Sequence, residues 1–192
     1  MFNSNTYILR EDGSNDVWLV DCGDTHRVLE QLSQNEKIVG VLFTHGHSDH
    51  IYGVNELICA FPHVKIFSNE YGILELGNAR LNCSYYHDDV DDIVINPNAD
   101  LVSLESDVNG VEFNEGWLHA VAYHTPGHDD SCMTYVIDDY VFTGDSHIPG
   151  VKVVTIFRTG NRLKANESEQ KILELANGRH LMPGHTLSPD IP

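Results

Sequence analysis

Basic residues are scarce. The 192-residue chain has 11 Lys and Arg against 29 Asp and Glu, a formal charge of −18 with histidine neutral. Nucleic-acid binding depends on cations that displace counterions from phosphates, so this imbalance argues against nucleic acid or an anionic membrane surface as partner. Long apolar runs are missing too: no stretch of about 18 apolar residues occurs, which excludes a spanning helix. Met1 to Arg10 is polar and strand-like, without the basic and apolar regions of a secretory signal, so a cytoplasmic protein is expected. The four cysteines, Cys22, Cys59, Cys83 and Cys132, form no C-x-x-C pair, which removes zinc knuckles and dithiol redox motifs and leaves buried free thiols as the expectation. No linker or low-complexity tract interrupts the chain, and a single domain over residues 1–192 is expected.

What is present is enough to fold. A hydrophobic fraction of 41% supports a sizeable core. The short apolar runs at 5–10 and 17–21, parted by Asp12-Gly13-Ser14-Asn15, predict a hairpin. Residues 25–34 carry Val28, Leu29 and Leu32 at helical spacing with Asp24 or Thr25 as N-cap, and 38–44 is a nearly unbroken apolar run. Strand, helix and buried strand in succession is the pattern of a layered α/β architecture. Further on, helices at 53–60 and 69–76 flank a strand at 64–67, and 88–92 is an acidic surface loop. Antiparallel strands are expected at 108–113, 117–123, 133–137 and 140–143, then a helix at 167–176 and a last strand at 180–182.

Twelve histidines beside many carboxylates suit a divalent cation. The densest signal is Thr44-His45-Gly46-His47-Ser48-Asp49-His50, which puts three imidazoles and a carboxylate in six positions directly after a buried strand. Gly46 permits an unusual backbone there, so the turn can aim its side chains at one point. Imidazole nitrogen and carboxylate oxygen are donors for zinc and for divalent iron or manganese. Three later strands end the same way: Thr125-Pro126-Gly127-His128, Phe142-Thr143-Gly144-Asp145 and Met182-Pro183-Gly184-His185. A His or Asp after glycine is by itself an ordinary turn residue, but these tips can all converge on one sheet edge.

In this order, H-x-H-x-D-H, T-P-G-H, F-T-G-D and P-G-H resemble the metallo-β-lactamase-fold hydrolase superfamily, nearest to its glyoxalase II-like branch. The resemblance runs from Asn5 to His185 and takes in Val20-Asp21-Cys22-Gly23. It implies a four-layer αβ/βα sandwich of mixed α and β class with two metal ions at one end. Carried over by position, His45, His47 and His128 would hold one ion and Asp49, His50 and His185 the other, with Asp145 between them. Two zinc ions are the implied cofactor, with iron or manganese as alternatives. Asp21 resembles the carboxylate that orients a ligand imidazole through its other ring nitrogen, a strand-end turn being its plain alternative.

The activity implied is hydrolysis of a small thioester or ester, because zinc lowers the pKa of water from 15.7 to about 7. Asp49 and Asp145 are then the expected catalytic carboxylates. Ser131 and Cys132 read as turn and packing residues, not as nucleophiles. Glyoxalase II enzymes carry a C-terminal helical domain for the glutathione conjugate, and this sequence stops soon after His185, so that specificity does not transfer. The segment after Asp145, to about Leu163, departs from the branch and should lie beside the metals, which makes His147, Lys152, Arg158 and Arg162 candidate contacts for an anionic substrate group. His26, His63, His87, His119 and His180 have no ligand-like setting, and His124, nearer the site in sequence, sits inside a strand end where packing is expected over coordination. Persulfide dioxygenases of the same superfamily, with one iron, are the competing reading. Lactonase, β-lactam or phosphodiester hydrolysis rank lower, the β-lactam case because those secreted enzymes carry a leader. A small molecule is the expected partner, and oligomeric state is left open.

Overall fold

The computed structural model describes residues 4–88, 91–104 and 107–186. Two five-stranded sheets organise them. The first runs β1 (Tyr7–Leu9), β2 (Asp16–Val20), β3 (Lys37–Leu42), β4 (Lys65–Ser68), β5 (Asp100–Ser103) in spatial order; β1 and β2 form the expected hairpin and the other pairings are parallel. Between these strands lie α1 (Thr25–Glu30), α2 (Ser48–Ile51), α3 (Val54–Ala60) and α4 (Glu70–Leu76). The second sheet comprises β6 (Val111–Glu115), β7 (Leu118–His124), β8 (Met133–Ile137) and β9 (Tyr140–Gly144), joined antiparallel, with β10 (His180–Pro183) added parallel to β9. Helix α5 (Arg162–Leu175) precedes β10 and buries Ala165, Ser168 and Ile172, three residues on one face.

The alternation of β2 shows how the layers form. Val17 and Leu19 point to a core shared with α1, α3 and α4 through Val28, Val54, Leu57 and Leu76. Trp18 and Val20 point the other way, into a second core with Leu118, Ala120, Met133, Tyr135 and Phe142 of the facing sheet. A strand buried on both faces must be apolar throughout, which is why its sequence reads as a run. Each fully buried large side chain there contributes roughly 1.5–3 kcal/mol. Trp18 covers Gly40 of β3 so closely that a Cβ at Gly40 would lie 2.2 Å from the indole ring. With helices outside both sheets, the architecture is the αβ/βα sandwich.

Several boundaries differ from expectation. Helix α5 begins five residues before 167, because Asn161 caps it by accepting from the Leu163 and Lys164 amides. Strand β6 starts at Val111 because Asp107 gathers the Asn109 and Gly110 amides into a turn. Strand β5 and a 3-10 turn at Ser84–Tyr86 had no counterpart in the sequence reading. Of the acidic run at 88–92, residues 89 and 90 lie outside the described residues; Asp88, Asp91 and Asp92 are exposed. No helix among the described residues is long and apolar enough to cross a membrane.

Candidate metal centre

Strand β3 ends at Leu42, and the chain turns through His45 and His47 into α2. Asp21, just past β2 with φ of +57°, fixes this turn: its Oδ1 accepts from the Thr44 amide at 2.7 Å and its Oδ2 from the Thr44 hydroxyl at 2.8 Å. The same Oδ2 lies 2.8 Å from His50 Nδ1. A carboxylate only accepts, so Nδ1 of His50 carries the proton and Nε2 turns its lone pair inward. The Thr44 hydroxyl, having donated to Asp21, accepts from His45 Nδ1 at 3.2 Å, which leaves Nε2 of His45 likewise aimed inward. His128 Nδ1 donates to the Val154 carbonyl at 2.9 Å and also presents Nε2.

The expected donors meet. His45, His47 and His128 form one group and Asp49, His50 and His185 another, with ligand atoms in each lying within 4.8 Å of one another. Asp145 stands between them: Oδ1 is 3.4 Å from both His50 Nε2 and His185 Nε2, and Oδ2 is 3.7 Å from His128 Nε2. His128 Nε2 and His47 Nδ1 approach to 2.9 Å, and His185 Nε2 lies 3.2 Å from Asp49. Space is tight here, since a Cβ at Gly184 would meet Asp145 Oδ1 at 2.3 Å.

The donor set fits a cation. His45 Nε2, His50 Nε2 and Asp145 Oδ1 are buried without a hydrogen-bond partner, an arrangement that costs free energy unless something else satisfies them. Electrostatics agree. Burial pulls His45 down, with His50 and His47 adding to the effect; on His50 burial is outweighed by Asp21 and Asp145, which raise it well above the usual histidine range. Hydrogen bonds to Asp145 and Asp49 lift His185 to about 9. These carboxylates therefore call for positive charge, and this His/Asp cluster indicates divalent-metal binding.

Gly46 serves a different purpose from the one expected. Its φ is not positive; its bareness makes room for Glu75 of α4, whose Oε2 would lie 2.3 Å from a Cβ there. Burial, reinforced by Asp129, lifts the Glu75 carboxyl to about 9. Burial opposes ionisation of Asp129, yet Glu75, Thr159 and the Ser131 amide outweigh it and hold it at about 2. Asp129 Oδ2 sits 3.8 Å from His47 Nε2, which makes it that ring's outer partner. Ser131 accepts from the Gly46 amide at 3.2 Å, and Ser131 and Cys132 are both buried.

The segment after Asp145 does border the donors. Phe157 lies 4.4 Å from the His47 ring and 5.0 Å from that of His128. Arg158 lines a cleft of about 570 Å³ that reaches His47, and Lys152 lines a small recess beside His128 and Asp145. The other two candidates stand elsewhere. His147 is drawn to Glu169 of α5, with Nδ1 3.2 Å from Oε1, and Arg162 is an exposed residue opening α5 that borders neither cavity. Glu75, Asp129, Phe157 and Thr159 escaped the sequence reading; only Asp129, next to His128, carried any positional signal.

Comparison with known proteins agrees with this construction. The family model described as the metallo-beta-lactamase superfamily matches residues 1–185. A probable metallo-hydrolase of Streptococcus pyogenes serotype M6 is 29% identical over 97% of this chain and 81% of its own. A hydroxyacylglutathione hydrolase of Shewanella loihica is 28% identical over 76% of this chain, and the match spans 48% of that enzyme. Of solved structures, the BLEG-1 B3 metallo-beta-lactamase superposes with a TM-score of 0.84 at 24% identity, covering 96% of this chain and 87% of that one. TTHA1623 in a di-iron-bound form gives 0.76 at 19% identity, covering 97% and 89%. The chain belongs to the metallo-beta-lactamase superfamily.

Proposed function

We propose that the chain is a dinuclear zinc-dependent hydrolase, similar to the glyoxalase II branch, that cleaves a small thioester or ester. The observation that carries this is the placement of Asp145, one oxygen facing each donor group. His45, His47 and His128 would hold one ion, Asp49, His50 and His185 the other, and Asp145 both. Zinc bound there supplies Lewis acidity, polarising the carbonyl and making water acidic enough to ionise near neutral pH. The chain's own part is to orient and to handle protons. Asp21 holds His45 and His50 in the ligating tautomer, and Asp49, with a side chain 24% exposed, is placed to hold a water and take its proton. Four unbonded cysteines suit the reducing cytoplasm.

Metal analysis of protein purified without added metal, with a screen of thioesters, lactones, phosphodiesters and β-lactams, tests this reading. Two zinc ions per chain and turnover of a thioester or ester are expected. One iron with oxygen uptake on a persulfide would replace it with the dioxygenase reading, and inactivity of zinc-loaded protein on every substrate would remove hydrolysis.

A further inference from the structure

The cleft that reaches His47 has two walls. One, from α4 and the segment after it, contributes Tyr71, Leu74, Leu81 and Tyr86; the other contributes Phe157 and Arg158. Tyr71, Leu74 and Tyr86 are 50%, 58% and 67% exposed, so apolar side chains that folding would otherwise bury gather around one opening. Two guanidinium groups line the same cleft. Arg80 lies over the Tyr85 ring at 4.4 Å, and neither it nor Arg158 has a carboxylate partner among the described residues. Arg10, Arg27, Lys37, Lys65 and Lys164, by contrast, each have such a partner among the described residues. Unpaired guanidinium beside an apolar wall favours a planar anion attached to an apolar body.

We propose that this cleft holds the part of the substrate that is not hydrolysed, an apolar or aromatic acyl chain ending in a carboxylate. Arg80 and Arg158 take the carboxylate, and Tyr71, Tyr86 and Phe157 flank the chain. Because Phe157 also touches the His47 and His128 rings, a chain lying against it has its other end at the donor cluster. As a statement about a substrate this rests on the hydrolase reading above, whereas the binding is a property of the cleft alone.

Isothermal titration of the full chain, with its metals, against 3-phenylpropionate and 3-phenylpropanamide provides the test. The carboxylate should bind at least tenfold more tightly than the amide, and the Arg80→Ala, Arg158→Ala double variant should erase that preference while binding the amide as before. Equal affinity for the two probes overturns the proposal, as does undiminished carboxylate binding by the double variant, which would place the carboxylate on the metals. The thioester and ester screen described above, run in parallel, separates the two readings: no turnover of any substrate with the probe preference intact removes the hydrolase and supports the cleft, and turnover without any preference overturns the cleft and leaves the hydrolase.

Discussion

His45 and His50 both present Nε2 because one carboxylate, Asp21, decides where the proton on the other ring nitrogen sits, directly for His50 and through the Thr44 hydroxyl for His45. Since these two rings belong to different donor groups, Asp21→Asn should weaken both ions together, by roughly 10–100-fold in affinity. Asparagine tolerates the same left-handed backbone, so the loss is one of charge and acceptor capacity. Competition with a chromophoric chelator would measure it, and loss of a single ion would contradict it. Glu75 yields a pH prediction. Its carboxyl is raised from 4.5 to about 9 by burial and Asp129, so the fold favours its protonated form. That contribution is complete below pH 4.5 and is lost as pH rises toward 9. Glu75→Gln keeps a neutral donor, so its melting temperature relative to wild type should climb from pH 5 to pH 9; a constant difference would contradict this. The donors themselves were legible because each follows a strand and most follow a glycine, a purely local signal. Glu75 and Asp129 were not, because their meeting beside Gly46 joins segments far apart in the chain.

Helix α5 buttresses the loop that carries His128. The Asn161 amide donates to the Gly127 carbonyl, and Ser168 donates to the Pro126 carbonyl. Asn161 also caps the helix, so Asn161→Ala should cost about 1 kcal/mol of stability. For a chain of this length that is roughly 2–4 °C in melting temperature, readable by calorimetry. The apolar strands β2 and β3 could be read directly because burial on both faces leaves uninterrupted runs at Val17–Val20 and 38–42. The beginning of α5 could not, since Arg162, Leu163 and Asn166 are exposed and show no apolar periodicity. Strand β5 hides for a similar reason: it is an edge strand of four residues whose ends, Asp100 and Ser103, are exposed.

Across the whole molecule, the two sheets bring the donors to one rim, and folding concentrates carboxylates there in an already acidic chain. A bound cation is then part of the fold's stability. With free zinc at 100 times its dissociation constant, binding adds about 2.7 kcal/mol, so removal by chelator should lower the melting temperature by roughly 5–10 °C. Zinc, not calcium, should restore it, and a melting temperature indifferent to chelator would contradict a resident ion. His185 reaches the rim on β10, the edge of its sheet, and is clasped there from the opposite sheet: Ser4 bridges to it, the Asn5 amide donates to the Gly184 carbonyl, and the Tyr7 hydroxyl donates to the Pro183 carbonyl. The first nest of imidazoles, His45, His47 and His128, is complete without this clasp. The second depends on two distant stretches of polypeptide, Ser4–Tyr7 and Pro183–His185, finding each other.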